Sequence, residues 1–453
     1  MRSFDVVVIG AGPAGEVAAG RLAEKGMDVA IIEDRLVGGE CSFWACMPSK
    51  ALLRPYEALA EVKRNPGAAE AVTGTLDVAA VLARRDEIIH DLSDDAQLPW
   101  LEDRGITLIR GHARLSGVRK VTVNDEEIEA KRAVFLTPGS GPLMPPIDGL
   151  DTVDGAWTNR DATIAKEIPE SMVVMGGGVV GVEMSQAFQT LGCQVTLIEG
   201  ARRLLPNEEE FACIELTAAL REYGVEIRTG RKATKVDQAE DGMVTVHMDD
   251  GSTATGEKLL IALGRQPLTQ DVGLEVVGLE PGKGVRVDAH MRVPGHDWLY
   301  ALGDVNQRAL FTHMGKYQAR LAADHLLGHD HVLLHGADGP LSPRVVFTEP
   351  QVAAVGHTTE TAEQAGLLVD VITTSTSGNA GGSFYGRNAP GTVQWIVDRE
   401  RRIVVGCTMT GAEIADFLHA ATIAIVGEVP VERLRHAVPS FPTRSEVWLQ
   451  LEP

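Results

Sequence analysis

The sequence has few cysteines and no long apolar run, and both shortages exclude whole classes of protein. Its five cysteines among 453 residues are too few, and odd in number, for a disulfide scaffold, which favours reduced thiols in the cytoplasm with one functional pair. Residues 4–9 form too short an apolar run for a secretion signal, and glycines interrupt it at once. No later run approaches the roughly 20 apolar residues that span a bilayer. We therefore expect a cytoplasmic protein without a membrane partner.

Basic residues are also in deficit. The chain has 42 Lys plus Arg against 63 Asp plus Glu, a formal net charge of −21 at pH 7. A field of this sign repels nucleic acid and anionic membrane surfaces, so neither is an expected partner. The length of 453 residues indicates roughly three domains, at about 150 residues per domain. These bounds favour a large soluble enzyme.

A glycine-rich turn occurs twice, each time between an apolar strand and a helix. A second strand closes each of these units and ends in an acid, Glu33 in the first and Glu199 in the second. The two turns read Gly10-Ala11-Gly12-Pro13-Ala14-Gly15 and Gly176-Gly177-Gly178-Val179-Val180-Gly181. Glycines there let backbone N–H groups at the helix start approach a pyrophosphate, and the acid accepts a hydrogen bond from a ribose hydroxyl. The duplication predicts two dinucleotide sites.

The acid at Glu199 favours NADH over NADPH. A carboxylate attracts the ribose hydroxyls of NAD and repels the 2′-phosphate of NADP. NADPH stays open, because Arg202 or Arg203 could reach a 2′-phosphate. The alternative interpretation of the two arginines is a solvated basic turn.

The sharpest chemical signal is a pair of cysteines five residues apart, Cys41 and Cys46. On a turn that enters a helix, this spacing can bring two Cα atoms within the roughly 4.4–6.8 Å that a disulfide requires. A helix N-terminus lowers the pKa of a thiol and favours a reactive thiolate at Cys46, and a flavin stacked there could pass electrons to the pair. The alternative is two unrelated buried cysteines, but the flanking glycines and the following Pro-Ser-Lys favour a redox pair. We expect the others to be core or surface thiols: Cys193, Cys213 and Cys407.

These motifs resemble the class I pyridine nucleotide-disulfide oxidoreductases, the group of dihydrolipoamide dehydrogenase, glutathione reductase and mercuric reductase. The resemblance covers essentially the whole chain, because further motifs follow in family order: Gly111-His112-Ala113, Thr137-Pro138-Gly139, Leu263-Gly264-Arg265, Leu302-Gly303-Asp304 and Phe347-Thr348-Glu349-Pro350. It implies an α/β fold with two Rossmann-like dinucleotide-binding domains, for FAD and NAD, and a C-terminal α+β dimerisation domain. The implied domains are 1–148 (FAD, first part), 149–270 (NAD(P)), 271–336 (FAD, second part) and 337–453 (dimerisation).

The resemblance also implies roles for single residues. Cys46 corresponds to the thiol beside the flavin, and Cys41 to the outer thiol that attacks substrate. Lys50 corresponds to the lysine at the flavin N5 edge, Glu183 to its ion-pair partner, and Asp304 to the aspartate on the ribityl chain. The implied FAD contacts are Gly10, Gly12, Pro13, Ala14, Gly15, Glu33, Asp34, Gly39, Cys41, Lys50, Ala113, Thr137, Gly139, Gly303, Asp304 and Thr312. The implied NAD contacts are Gly176, Gly178, Val180, Gly181, Glu183, Glu199 and Gly264. No metal is implied.

The C-terminal signature departs from the family. It normally holds a His followed by Pro, with a Glu five residues after the His, and both residues act across a homodimer interface. Here Phe441 stands in place of the His, while Glu446 remains. The missing imidazole normally exchanges a proton with the substrate sulfur, which contributes on the order of 10²- to 10⁴-fold in rate. His436, five residues upstream, could compensate, or it is a surface histidine. Alternatively, Phe441 beside Trp44 could line an apolar, stacking pocket.

The sequence therefore predicts a homodimeric flavoenzyme in which NADH, or NADPH, reduces FAD and FAD reduces the Cys41–Cys46 disulfide. Mercuric reductase fits poorly, since it uses a C-terminal cysteine pair and this chain has no cysteine after Cys407. A standard dihydrolipoamide dehydrogenase also fits poorly. The first hypothesis for the acceptor is a small-molecule disulfide, and the second is a quinone-like acceptor in a diaphorase-type reaction. The third is a redox sensor that binds both dinucleotides without sustained turnover.

Overall fold

The computed structural model describes residues 2–334, 338–387 and 389–451 of the chain. The chain divides into two compact units, each assembled from three separate segments. The first unit comprises Met1–Pro48, Asp86–Leu143 and Arg265–Gly339. The second comprises Ser49–Arg85, Met144–Gly264 and Pro340–Pro453. The expected boundary at residue 336 lies outside the described residues, and the four expected domain ranges stay a prediction.

A mixed β-sheet forms the centre of the first unit. Its strands follow in the order Thr107–Arg110, Val29–Glu33, Arg2–Ile9, Glu126–Leu136, Lys120–Val123 and Ala113–Gly117. The first four are parallel and the last two antiparallel, while Leu299–Ala301 pairs in parallel with the end of Glu126–Leu136. Ser140–Pro142 and Arg265–Pro267 form a separate antiparallel pair. Apolar strands such as Val29–Glu33 are buried along their whole length, as expected where helices cover both faces of a parallel sheet.

Two long helices of the first unit pack against each other. Pro13–Ala23 begins with Pro13, whose ring suits a first helical position, and buries its small apolar residues. It lies beside Thr312–Leu326, where Gly315 allows close packing because a Cβ there would be 3.4 Å from that of Ala14. Shorter helices are Gly39–Phe43 and Leu98–Glu102, with single 3-10 turns at His90–Leu92, Leu274–Val277 and Gly303–Asn306.

The second unit contains a parallel sheet and two antiparallel sheets. The parallel sheet has the order Glu226–Thr229, Gln194–Glu199, Ser171–Met175 and Lys258–Ile261. One antiparallel sheet has the order Ala233–Gln238, Val244–Met248 and Thr253–Gly256. The other has the order Arg344–Val346, Gln351–Gly356, Ile403–Gly411, Thr392–Asp398 and Val369–Ser375. The parallel sheet is the part that carries the second glycine turn.

The second unit also contains helices. They are Asn159–Ile164, Val179–Thr190, Glu210–Glu222, Thr359–Gln364, Ile414–Val426 and Val431–Leu434. Cys46–Arg64 and Val78–Ile88 lie mostly in this unit, and 3-10 turns occur at Ala69–Ala71, Leu150–Thr152, Gly339–Leu341, Gly382–Tyr385 and Arg444–Gln450. No helix in the described ranges is both long and apolar enough to cross a membrane.

One expected element was wrong. The polar residues 76–101 predict a long helical region, but the structure breaks it after Val78–Ile88, where His90, Asp91 and Leu92 all have positive φ. The break has a tertiary cause. Asp94, just beyond it, accepts hydrogen bonds from the backbone N–H of Val37 and from the side chain of Arg110, both at 2.6 Å. These two hydrogen bonds fix the Asp94 carboxylate and so favour the irregular backbone over a continuous helix.

Candidate active site

The first glycine turn has a shape that depends on its glycines. Gly10 has φ +101°, and a Cβ there would collide with the carbonyl oxygen of Thr137, while a Cβ at Gly15 would collide with that of Gly10. Thr137 holds the turn by donating its hydroxyl to the carbonyl oxygen of Gly10 at 2.7 Å. A Cβ at Gly12, in contrast, would meet no protein atom within 4 Å, so the start of Pro13–Ala23 is accessible to a phosphate group. These residues fit the pyrophosphate of a dinucleotide such as FAD.

The second glycine turn repeats this geometry. Gly176 has φ +109°, and a Cβ there would collide with the carbonyl oxygen of Ala262. A Cβ at Gly181 would collide with the carbonyl oxygen of Gly176, and one at Gly178 would meet nothing within 4 Å. The start of the helix Val179–Thr190 is therefore accessible in the same way as its counterpart in the first unit.

The acids that follow the two turns are held alike. Each carboxylate accepts one hydrogen bond from the turn and one from the N–H two residues further along the chain. The donors are Ala11 at 2.8 Å and Arg35 at 2.9 Å for Glu33, and Gly177 at 2.5 Å and Ala201 at 2.6 Å for Glu199. Burial raises the pKa of Glu33, and its two backbone hydrogen bonds lower it. Both acids are thus oriented before any ribose arrives.

The two cysteines of the candidate redox pair lie together in the first unit. Cys41 is in the one-turn helix Gly39–Phe43, and Cys46 is the first residue of the helix Cys46–Arg64. The hydroxyl of Thr312 lies 3.3 Å from the sulfur of Cys46. The pKa of Cys41 is raised, most strongly by its contact with the Cys46 sulfur and next by burial. The two thiols therefore affect each other's ionisation.

Two glycines place the cysteine helix against the first glycine turn. Gly38 has φ +110° and Gly39 has φ +62°, conformations that residues with a Cβ rarely adopt. A Cβ at Gly39 would be 2.8 Å from the Cα of Gly12. The close approach brings Cys41 to the same end of the sheet as the phosphate-accessible helix start.

Asp304 lies in a polar cluster on the same unit. Its carboxylate accepts a hydrogen bond from the hydroxyl of Ser140 at 2.5 Å, and the side chain of Arg265 donates a hydrogen bond to the same hydroxyl at 2.7 Å. Burial raises the pKa of Asp304, while the Ser140 hydrogen bond and the Arg265 charge lower it. An acid held in this way fits the role of accepting hydrogen bonds from the sugar-alcohol chain of a flavin dinucleotide.

An ion pair between the partly exposed Lys50 and the buried Glu183 is the main feature of the candidate site in the second unit. The Nζ of Lys50 lies 2.8 Å and 3.2 Å from the two carboxylate oxygens of Glu183, whose side chain is only 4% exposed. Glu183 also accepts the backbone N–H of Phe347 at 2.9 Å, and Lys50 lies 4.7 Å from the centre of the Phe347 ring. Glu183, on the helix that follows the second glycine turn, thus binds the ammonium group of Lys50, a residue that comes shortly after Cys46 in the chain. The resemblance had implied this pair, and the structure places the two residues in contact.

The C-terminal segment is exposed where it departs from the family pattern. The side chain of Phe441 is 76% exposed, and His436 is also on the surface of the second unit. One carboxylate oxygen of Glu446 is buried and has no hydrogen-bond partner among the described residues. The role of Glu446 in orienting a base stays a prediction.

The other expected contacts are spread along the same elements. Asp34 is exposed and lies 3.5 Å from a ring nitrogen of His112. Ala113 is buried at the start of Ala113–Gly117. Gly139 and Gly264 have φ of +76° and +118°, so both positions need glycine.

Several residues of the site were missed by sequence reasoning. Nothing in the local pattern indicates that Ser140 and Arg265 meet Asp304, because the three residues come from distant segments. Glu16 was also missed, although a charged residue one turn after the predicted contact Gly12 is a signal that the sequence carries. The pKa of Glu16 is raised to about 7 by burial, against the effect of Lys316.

Comparison with known proteins decides the family. Residues 4–323 match the family model described as pyridine nucleotide-disulphide oxidoreductase, and residues 342–451 match its dimerisation domain. The chain belongs to this family. Membership confirms the α/β fold class and the resemblance read from the motifs, and it makes the chain an NAD(P)H-dependent oxidoreductase of the flavoprotein disulfide reductase type.

Individual pyridine nucleotide-disulphide oxidoreductases align over nearly the full chain. A dihydrolipoyl dehydrogenase from Thermus scotoductus is 32% identical, over 98% of this chain and 96% of its own length. A mercuric reductase from Lysinibacillus sphaericus is 29% identical, over 98% of this chain and 81% of its own. The solved Cu(II) complex of the HOCl-induced flavoprotein disulfide reductase RclA from Escherichia coli has a TM-score of 0.87 at 26% identity, covering 100% of this chain and 99% of that one. Family membership implies binding of FAD and NAD(P)H.

Proposed function

We propose that this protein oxidises NADH and reduces a small-molecule disulfide through the Cys41–Cys46 pair. The observation that carries the proposal is the pair itself, with its sulfurs in contact and the Thr312 hydroxyl beside Cys46. When bound, FAD supplies a two-electron relay between the nicotinamide and the pair. We further propose a cytoplasmic homodimer in which the first unit binds FAD and the second binds NADH.

The proposed reaction balances in two halves. In the first, NADH, one proton and the Cys41–Cys46 disulfide give NAD⁺ and two thiols, as the S–S bond breaks. In the second, a thiolate at Cys41 attacks the substrate disulfide, forming one S–S bond and breaking another. Cys46 then displaces the second substrate thiol, which restores the protein disulfide. The Cys41 thiol must lose its proton before this attack, because the thiolate is the nucleophile.

Anaerobic titration of the purified protein with NADH tests this proposal. We expect one equivalent of NADH to produce a long-wavelength absorption band from a Cys46 thiolate next to FAD, and to expose two thiols to labelling. The Cys213→Ser variant serves as control, since this buried thiol lies outside the site, and it should behave like the parent protein. Bleaching of the flavin absorbance with no such band and no new thiols would contradict the proposal.

We also propose NADH rather than NADPH as the reductant. Glu199 presents a carboxylate beside the second glycine turn, and the side chain of Arg203 donates to the carbonyl oxygens of Pro206 and Glu208, both at 3.2 Å. Arg203 is therefore engaged within its own loop, while Arg202 is exposed and could reach a 2′-phosphate. The carboxylate favours the ribose hydroxyls of NADH.

For Glu199→Gln we expect the ratio of kcat/KM for NADH to that for NADPH to fall roughly tenfold, since hydrogen bonds to charged groups contribute about 1.5–3 kcal/mol. Arg202→Ala is the matched control and should leave kcat/KM for NADH unchanged. A parent protein that turns over NADPH faster than NADH at equal concentration would refute the coenzyme assignment.

A second candidate function is electron transfer to a quinone-like acceptor. The observation that favours it is Phe441, because a phenyl ring cannot carry the proton that disulfide exchange needs, and a quinone does not need that base. Steady NADH oxidation with a quinone but with no disulfide would support this function, whereas the absence of turnover with every acceptor would favour a redox sensor.

A further inference from the structure

A short loop of the second unit touches both members of the Lys50–Glu183 ion pair. Residues 347–350 connect two neighbouring antiparallel strands and are called the 347–350 loop below. Phe347, its first residue, donates its backbone N–H to the Glu183 carboxylate at 2.9 Å. The ring of Phe347 also lies 4.7 Å from the Nζ of Lys50. The position of this loop therefore affects the geometry of the ion pair.

The side chain of Gln186 holds the same loop. Gln186 is only 2% exposed and follows Glu183 by three residues on the helix Val179–Thr190, so the two side chains lie on one face of that helix. The amide nitrogen of Gln186 donates to the carbonyl oxygen of Glu349 at 2.9 Å, and its amide oxygen accepts the backbone N–H of Glu349 at 2.7 Å. Because one side-chain amide binds both backbone groups of Glu349, it fixes the position and the orientation of that residue.

A second helix binds the loop at the same residue. Arg64, the last residue of the helix Cys46–Arg64, pairs its Nη1 with the buried carboxylate of Glu349 at 2.6 Å. Lys50 lies near the start of this helix and is the partner of Glu183. The ion pair and the 347–350 loop thus form one hydrogen-bonded network, which two helices hold at positions 347 and 349.

The hydrogen bonds of Gln186 distinguish it from an ordinary core residue. An apolar side chain would fill a buried position without needing any partner, whereas a buried amide is unfavourable unless its hydrogen bonds are formed. Without that amide, the N–H and the carbonyl group of Glu349 would both lose the partner described here, and the loop would have to move to satisfy them. Such a movement would displace the Phe347 N–H and, with it, the Glu183 carboxylate.

We propose that Gln186 is a positioning residue for the Lys50–Glu183 ion pair. By fixing Glu349 it sets where the Phe347 N–H meets the Glu183 carboxylate, and so how the Lys50 ammonium faces the nicotinamide end of NADH. The reaction affected is hydride transfer: NADH loses one proton with two electrons and becomes NAD⁺, and the flavin takes up that hydride. The proposal rests on the proposed binding of NADH to the second unit.

Anaerobic stopped-flow mixing of the FAD-containing protein with NADH tests the proposal before any disulfide takes part. The rate of flavin reduction is followed over a range of NADH concentrations, which separates the limiting rate from the half-saturating concentration. Gln186→Met keeps the length of the side chain and removes both hydrogen bonds. Gln189→Met is the matched control, because Gln189 lies on the same helix and accepts the backbone N–H of Val195 at 3.1 Å, outside the loop.

For Gln186→Met we expect the limiting rate of flavin reduction to fall roughly tenfold, because a small misplacement of positioning groups slows the chemical step. The half-saturating concentration of NADH should change less than about twofold, since Gln186 acts through Glu183 and not on the coenzyme. Hydrogen–deuterium exchange, which does not depend on turnover, should be roughly tenfold faster in a peptide that covers the 347–350 loop. Gln189→Met should leave all three quantities at their parent values.

Gln186→Glu provides a second variant in case Gln186→Met does not fold. A protonated carboxyl at position 186 can form both hydrogen bonds to Glu349, whereas an ionised one cannot donate to the carbonyl oxygen. Burial raises the pKa of such a carboxyl, so we expect near-parent flavin reduction at about pH 6 and a fall towards the Gln186→Met rate at about pH 9. A pH profile identical to that of the parent protein would refute the proposal.

A double variant shows whether Gln186 acts through the ion pair. In a Glu183→Gln background, adding Gln186→Met should slow flavin reduction by less than about twofold more, because residues that act as a unit are not additive. Losses that multiply in the double variant would overturn the proposal, as would an unchanged limiting rate in Gln186→Met alone. A parent protein that NADH reduces quickly but that reduces no disulfide would contradict the proposed acceptor alone.

Discussion

Replacing Cys46 by serine is expected to lower the rate of NADH-dependent disulfide reduction by roughly 10³-fold or more. A serine hydroxyl cannot form a disulfide with Cys41, so the two electrons from NADH have no internal disulfide to reduce. The substitution is small, and the neighbouring Thr312 hydroxyl, 3.3 Å from the sulfur, can form a hydrogen bond to serine as well. FAD content and the unfolding temperature should therefore stay close to those of the parent protein. The measurement is kcat with a panel of small disulfides, together with the flavin spectrum.

The same variant separates the two candidate functions. A quinone that accepts electrons without the cysteines should be reduced by Cys46→Ser at nearly the parent rate. Cys41→Ser should match Cys46→Ser in disulfide turnover but retain the long-wavelength band, since the thiolate at Cys46 is intact. Undiminished disulfide turnover in either variant would exclude the pair from the reaction.

Changing Phe441 to histidine is expected to raise disulfide turnover by about 10²-fold, the lower end of what a positioned general acid–base contributes. The side chain at 441 is 76% exposed within its own chain, so the change should disturb little of the packing inside that chain. Glu446 offers a buried carboxylate oxygen that has no partner among the described residues and could orient the new ring. Turnover with glutathione disulfide and oxidised lipoamide provides the readout.

The gain in disulfide turnover from Phe441→His should depend on pH. The new imidazole accepts a proton only when neutral, so the gain should grow as pH rises through about 6.5, the ordinary pKa of histidine. Val438→His is the matched control, because Val438 is 80% exposed in the same segment and has no expected role. Equal turnover in both variants and the parent would mean that the pocket serves an acceptor other than a disulfide.

Local sequence rules predicted those parts of the structure that depend on backbone conformation alone. Gly10 and Gly176 need a positive φ that only glycine adopts readily, so the two turns and their acids could be placed from the sequence. The fold class and family followed from the same motifs. Contacts between distant segments were beyond these rules: the Ser140 hydroxyl bridges Arg265 and Asp304 only because the strands bring them together. The helix break at His90–Leu92 could not be predicted in this way, because the segment contains no glycine or proline.

The six alternating segments of the two units bear on how the protein is made. The sheet that carries the first glycine turn receives Leu299–Ala301 from its last segment, and Thr312 comes later still. A ribosome must therefore release about two thirds of the chain before the cysteines of residues 41–46 can meet their partner hydroxyl. Until then the nascent chain carries two unprotected thiols, and no single truncation of the gene yields either unit by itself.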